Sequence, residues 1–118
     1  MKKLTLFFIF LFSLSNFYAQ TSCDEMLEMV ENQGYGTSYY SYGSEAISEV
    51  TFYEISDDNY NDYYFAVVRF TSSYEDYIYQ VASDTEFNYS INYLTSAGEA
   101  FWAYIQPYNQ NLNCAPDF

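Results

Sequence analysis

Histidine is absent from this 118-residue chain, and lysine occurs only at Lys2 and Lys3. Without imidazole there is no Ser-His-Asp or Cys-His nucleophilic scheme and no histidine metal site. Without lysine past the first residues, Schiff-base chemistry and a phosphate-loop lysine are excluded as well. Two cysteines are too few for a four-ligand zinc site. Positive charge is scarcest of all, because beyond Lys3 only Arg69 stands against 16 acidic side chains. Nucleic acid is therefore excluded as a partner, since phosphate binding rests on Lys and Arg, and anionic membrane surfaces are disfavoured for the same reason. No apolar run is long enough to cross a bilayer, which takes roughly 20 residues.

The longest apolar run, residues 4–14, follows Lys2 and Lys3 and precedes polar Ser15 and Asn16 and small Ala19. That layout is a secretory signal peptide over residues 1–19, cut near Ala19. A retained N-terminal anchor is the competing reading, and the shortness of the run counts against it. Gln20-Thr21-Ser22 lacks the pattern that precedes a lipid-modified cysteine, so Cys23 is not read as a lipid anchor. The expectation is a secreted or periplasmic protein with no stable membrane anchor after cleavage. Its mature chain has 118 − 19 = 99 residues, enough for one domain, and a side-chain charge of 1 − 16 = −15. In an oxidising compartment, two cysteines favour a disulfide between Cys23 and Cys114, with two free buried thiols as the alternative.

Along the chain, residues 21–33 read as a helix, with Ser22 and Glu25 at capping-box spacing and Cys23, Leu27 and Val30 on one stripe. Residues 35–44, rich in Tyr, Ser and Gly, carry no apolar period and read as an irregular connection. Three strands follow. Residues 46–55 place Val50 and Phe52 on one face and Thr51, Tyr53 and Ile55 on the other. Residues 63–70 are more continuously apolar, and 76–81 put Tyr77, Tyr79 and Val81 on one side. Short polar turns at 56–62 and 71–75 make this an antiparallel meander. Ser83 with Glu86 and Ser96 with Glu99 open two helices. The first carries Phe87, Ile91 and Leu94 as its apolar stripe. The second carries Phe101, Trp102 and Ile105 and is stopped by Pro107. The expected fold is α+β: a three-stranded antiparallel meander, then two helices packed on one face, preceded by an N-terminal helix.

Ser96, Gly98, Phe101 and Ile105 within residues 94–105 keep the spacing of the KTSC signature, and residues 46–53, 68–70 and 77–81 are similar to its strands. Residues 44–108 thus resemble the KTSC domain, a small domain also found at the C-terminus of some lysyl-tRNA synthetases. The resemblance implies an α+β unit over 44–108, flanked by the helix and connection of 20–43 and by a tail, 109–118, tied back by the disulfide. Ala97 and Glu99 stand where that family tends to carry lysine, and Trp102 where it often carries asparagine, so no nucleic-acid role carries over. The family supplies no catalytic mechanism to transfer.

The remaining chemistry is carboxylates and tyrosines. Glu49 and Glu54 are the pair to weigh for acid–base glycoside chemistry, which needs two carboxyls flanking a cleft. Residues 57–62 are rich in oxygen ligands, but Asp62 and Val68 replace the glycine and glutamate of an EF-hand, and the run reads as a solvated hairpin turn. Asn88-Tyr89-Ser90 matches a glycosylation acceptor pattern, which is common by chance. Tyrosine is in excess at 16 residues, and it suits contact surfaces and sugar stacking. Of these, Tyr35, Tyr39, Tyr40 and Tyr42 are the candidate contact residues. The function expected is a non-catalytic protein-interaction module with an acidic face, and the alternative is a glycan-binding or carbohydrate-active envelope protein using exposed tyrosines. No catalytic, cofactor-binding or metal-binding residue is assigned, and the partner classes left open are a basic protein or a glycan. A purely solubilising role for the acidic surface stands beside both.

Overall fold

Period-two alternation in the middle of the chain becomes a sheet with both faces covered. The computed structural model describes residues 22–116, so the signal peptide expected at 1–19 lies outside the described residues. Helix α1 spans residues 22–33. Four strands follow: β1 (Thr37–Tyr40), β2 (Ile47–Ser56), β3 (Asp62–Phe70) and β4 (Asp76–Val81). Helices α2 (Thr85–Asn92) and α3 (Ala97–Tyr104), a 3₁₀ turn (Gln106–Tyr108) and the short helix α4 (Asn109–Leu112) complete the chain. The strands pair antiparallel in the order β1-β2-β3-β4.

Even-numbered residues of β2 and β3 meet α2 and α3. Val50, Phe52, Ala66 and Val68 form one core with Tyr79, Tyr89, Phe101 and Ile105. Phe65, Val67 and Ile78 point the other way and are covered by Val30 of α1, with Met26 and Leu27 beside it. This double cover explains why β3 is apolar on successive residues. A register shift between Ile47 and Glu49 breaks the alternation in β2. The extra residue turns Ile47 to the same face as Val50 and Phe52, where it is fully buried.

The sheet has four strands rather than the three expected. Residues 35–44 contain β1, whose Thr-Ser-Tyr-Tyr carries no apolar alternation to betray it. Its contacts are cross-strand instead: Ser38 and Thr51 share a hydroxyl hydrogen bond of 2.8 Å, and Tyr39 stands opposite Val50. Gly36 stands just before the strand, where a β-carbon would come within 2.6 Å of Thr51 Cγ2. The Cys23–Cys114 disulfide is present, with Cα atoms 5.6 Å apart. It ties α1 to the end of the chain on the sheet face opposite α2 and α3.

The helix starts divide. Ser96 caps α3 as expected, its Oγ accepting from Glu99 N at 3.2 Å. Ser83 does not cap α2. That helix begins at Thr85, whose Oγ1 accepts from Ala82 N at 3.0 Å, while the Glu86 carboxylate is engaged by the Tyr39 hydroxyl at 2.9 Å. The apolar stripe of α2 is also reversed. Phe87, Ile91 and Leu94 are 67 %, 62 % and 82 % exposed, and the helix buries Thr85 and Tyr89 instead. Tyr89 wins because its ring stacks on Tyr93 at 5.5 Å and meets Phe52 at 5.6 Å, filling space that an aliphatic side chain would leave open. In α3, Phe101 and Ile105 are buried while Trp102 is half exposed.

Tyr79 and Tyr89 each bury a hydroxyl with no hydrogen-bond partner among the described residues, and Tyr79 lies at the centre of the core. Its ring is fully buried against Phe101. Burial pushes its pKa up. Tyr79→Phe is therefore expected to raise stability by about 1 kcal/mol, since it removes an unpaired polar atom and keeps the ring. Urea unfolding of the two proteins measures this, and a destabilised Tyr79→Phe would show that the hydroxyl is satisfied in solution.

Candidate ligand groove

The segment from Ser41 to Ala46 is short of regular structure but closely tied. Ser41 N donates to Ser48 O, and Ser44 Oγ accepts from both Ala46 N and Ile47 N at 3.2 and 3.1 Å. Thr71, in the β3–β4 turn, bonds this segment twice, through its N to Ala46 O and its hydroxyl to Ser44 O. Facing it is the α2–α3 connection, turned by Thr95 N and Ser96 N donating to Asn92 O. Between these two fixed walls lies a concavity of about 740 Å³, bounded by Tyr40, Tyr42 and Glu45 on one side and Tyr93, Ser96 and Gly98 on the other.

Gly98 matters to its shape. A β-carbon there would rest 3.5 Å from Ala46 Cβ, an ordinary contact, so a methyl fits but a longer side chain would project between the walls. Past Gly98 the concavity continues into an apolar slot of about 340 Å³ floored by Ile47 and Phe101 and walled by Phe70, Tyr77, Trp102 and Pro116. Glu45, Ala46 and Gly98 line both parts, which makes one groove. Among the described residues, Glu45 is the only carboxylate in its lining, and no cation lines it.

The four candidate tyrosines separate into three environments. Tyr40 and Tyr42 come together at the mouth of the groove, their rings stacked at 5.8 Å and within 7° of parallel, 51 % and 93 % exposed. Tyr35 is fully exposed and lines no part of the groove. Tyr39 belongs to the core, edge-on to Phe52, Tyr89 and Tyr93. Burial, followed by its hydrogen bond to Glu86, pushes the Tyr39 hydroxyl up to about 12. Sequence reasoning missed Trp102 and Tyr93 as groove residues. Phe101 and Ile105 already fill the buried stripe of that helix at i and i+4, which turns Trp102 outward.

The carboxylates considered for chemistry are not assembled into a cleft. Glu49 and Glu54 point from opposite faces of β2, Glu49 beside Thr51 and Tyr53 under α1, and Glu54 beside Phe52 and Glu86. Asp57 spends its oxygens on its own turn, accepting from Asn59 N, Asn61 N, Asn61 Nδ2 and the Tyr63 hydroxyl. Those hydrogen bonds, from Asn61 N first, hold its carboxyl below the usual range. On the α1 face, Arg69 makes a two-pronged bond to Asp76 at 2.8 and 3.0 Å, and Glu49 lies 4.0 Å away. Glu31 shares that pocket, and burial, with Asp76 nearby, raises its pKa. The described residues therefore contain one cationic side chain, and it is already paired. No helix among them is long and apolar enough to cross a membrane.

No protein-family model, no curated protein and no solved structure matches this chain.

Proposed function

We propose that this chain is an exported, non-catalytic interaction module, built on a KTSC-like α+β unit over residues 44–108, that holds its ligand in the groove between the 41–46 segment and α3. The observation that carries this reading is the exposed Tyr40–Tyr42 stack at the mouth of the 740 Å³ concavity, continuous with an apolar slot. Concave sites lined by aromatic and apolar surface with a few placed polar groups are where ligands bind. The Ser96 and Gly98 of the KTSC-like signature form one wall of this groove, which joins the resemblance to the site. Export is supported by the signal-like N-terminus and by the Cys23–Cys114 disulfide, which persists in an oxidising compartment.

A second reading keeps the acidic surface as the recognition element. It is favoured by the pairing of Arg69 with Asp76, which leaves the remaining acids without a compensating cation among the described residues. Such a surface steers a basic partner, and the attraction fades as salt rises.

The two readings part on one experiment. Oxidised protein is immobilised, exposed to envelope and secreted extract at low and high salt, and compared with Gly98→Leu and Tyr42→Ala. Groove binding survives salt, is lost in Gly98→Leu and falls about fivefold to tenfold in Tyr42→Ala, as the loss of one aromatic contact worth roughly 1 kcal/mol requires. Binding that vanishes in salt and ignores both substitutions would move recognition to the acidic surface.

A further inference from the structure

We infer that the ligand of this groove is an uncharged glycan chain, seated on two aromatic platforms: the Tyr40–Tyr42 stack at one end and Trp102 at the other. The inference rests on the groove being the binding site and adds the class of ligand. Three observations lead to it, beginning with charge. The chain has 16 acidic residues, yet among the described residues the groove lining holds only Glu45, so this groove is a charge-poor part of an acidic molecule. A cationic peptide would gain from several carboxylates along its path, and an anionic ligand would need cations; among the described residues the lining supplies one carboxylate and no cation.

Hydroxyl chemistry is the second observation. Ser44 Oγ accepts from Ala46 N and Ile47 N, and Ser96 Oγ accepts from Glu99 N. Backbone donors thus occupy the acceptor side of each oxygen, and each O–H remains able to donate. With Glu45 as an acceptor, the groove offers fixed donors and one acceptor to a ligand rich in hydroxyl groups, which can play both parts.

Ring presentation completes the case. Sugar rings expose a face of C–H groups that rests on flat aromatic surface, and tyrosine and tryptophan provide that surface with a polar edge. Tyr40 and Tyr42 are stacked parallel and exposed, and Trp102 is 50 % exposed although Phe101 beside it is buried. Gly98 lies where the two halves of the groove meet, so a chain can pass from one platform to the other without a side chain in its way.

Trp102 is the only tryptophan in the protein, so its fluorescence reports on the groove directly. The folded, oxidised protein is titrated with neutral oligosaccharides from cellulose, laminarin, xylan, mannan and chitin, and, as charged comparators, with a polyuronate fragment and an Arg/Lys-rich peptide. The expected result is a saturable shift in Trp102 emission with at least one neutral oligosaccharide, insensitive to salt. It should weaken about fivefold to tenfold in Tyr42→Ala, vanish in Gly98→Leu and stay unchanged in Tyr35→Ala. Circular dichroism confirms that each variant is folded, and the nearly fully exposed Tyr42 makes its alanine variant structurally safe. If no neutral oligosaccharide acts but the basic peptide binds and is lost in Gly98→Leu, the glycan is overturned and the groove stands. A glycan that binds equally well to Gly98→Leu would overturn the groove itself. Silence from every probe would overturn the glycan.

Discussion

Replacing Cys23 and Cys114 together by serine is expected to cost about 3–5 kcal/mol of folding stability and to lower the melting temperature by about 15–30 °C. The bridge closes a loop of 91 residues, nearly the whole described chain, so its removal frees the unfolded ensemble more than any shorter staple would. The folded side of the balance points the same way. α1 reaches the sheet through one stripe, with Met26, Leu27 and Val30 against Phe65, Val67 and Ile78. Beyond the bridge, Leu112 of α4 is the C-terminal side chain in that cluster. Without the bridge, a short amphipathic helix must hold its place by packing alone, which short helices do poorly. Thermal unfolding of the oxidised protein, the same protein with reductant and the double serine variant gives the number. A loss below about 1 kcal/mol would mean that the reduced chain keeps its ends together without help.

Phe101→Ala is the second large effect, at about 3–5 kcal/mol. Phe101 is 2 % exposed and meets Phe70 and Tyr79 edge-on at 5.3 and 5.7 Å, joining α3 to β3 and β4. Truncation removes the floor of the apolar slot as well as the centre of the core, and the surrounding rings are too rigid to collapse into the space. Chemical denaturation measures the loss. Trp102, whose ring lies 6.0 Å from Phe101, reports any local rearrangement through its emission. A cost under about 1.5 kcal/mol would show that the site collapses as readily as a volume-conserving swap allows.

Some of this architecture was legible before any coordinates. The alternation of Val50 and Phe52 against Thr51, Tyr53 and Ile55, and of Tyr77, Tyr79 and Val81, set strand faces that the structure keeps. Those segments signalled clearly because each face is apolar enough to impose a period of two. β1 gave no such signal. Its stability comes from a hydroxyl pair and from Tyr39 reaching into an aromatic cluster, and both depend on partners more than ten positions away. α2 misled for a different reason. It has two eligible faces, Phe87, Ile91 and Leu94 on one and Thr85, Tyr89 and Tyr93 on the other, and hydropathy prefers the first. The sheet chose the second, since Phe52 and Tyr39 offer rings to stack against. The groove was half visible. Tyr40 and Tyr42 stood out by composition and Ser96 and Gly98 by their resemblance, but only folding sets them across from one another.

The plain meander order has a consequence for how the molecule comes into being. Every strand pairs with its neighbour in sequence, so each ladder needs only a hairpin to close and none waits for the chain ends. Cys23 lies in α1 and Cys114 just after α4, so the folded sheet with its flanking helices brings the two sulfurs together. The folded shape thus favours the bond, and the bond in turn favours the folded shape by restricting the unfolded chain. With a single possible partner for each sulfur, no reshuffling separates a wrong isomer from the right one.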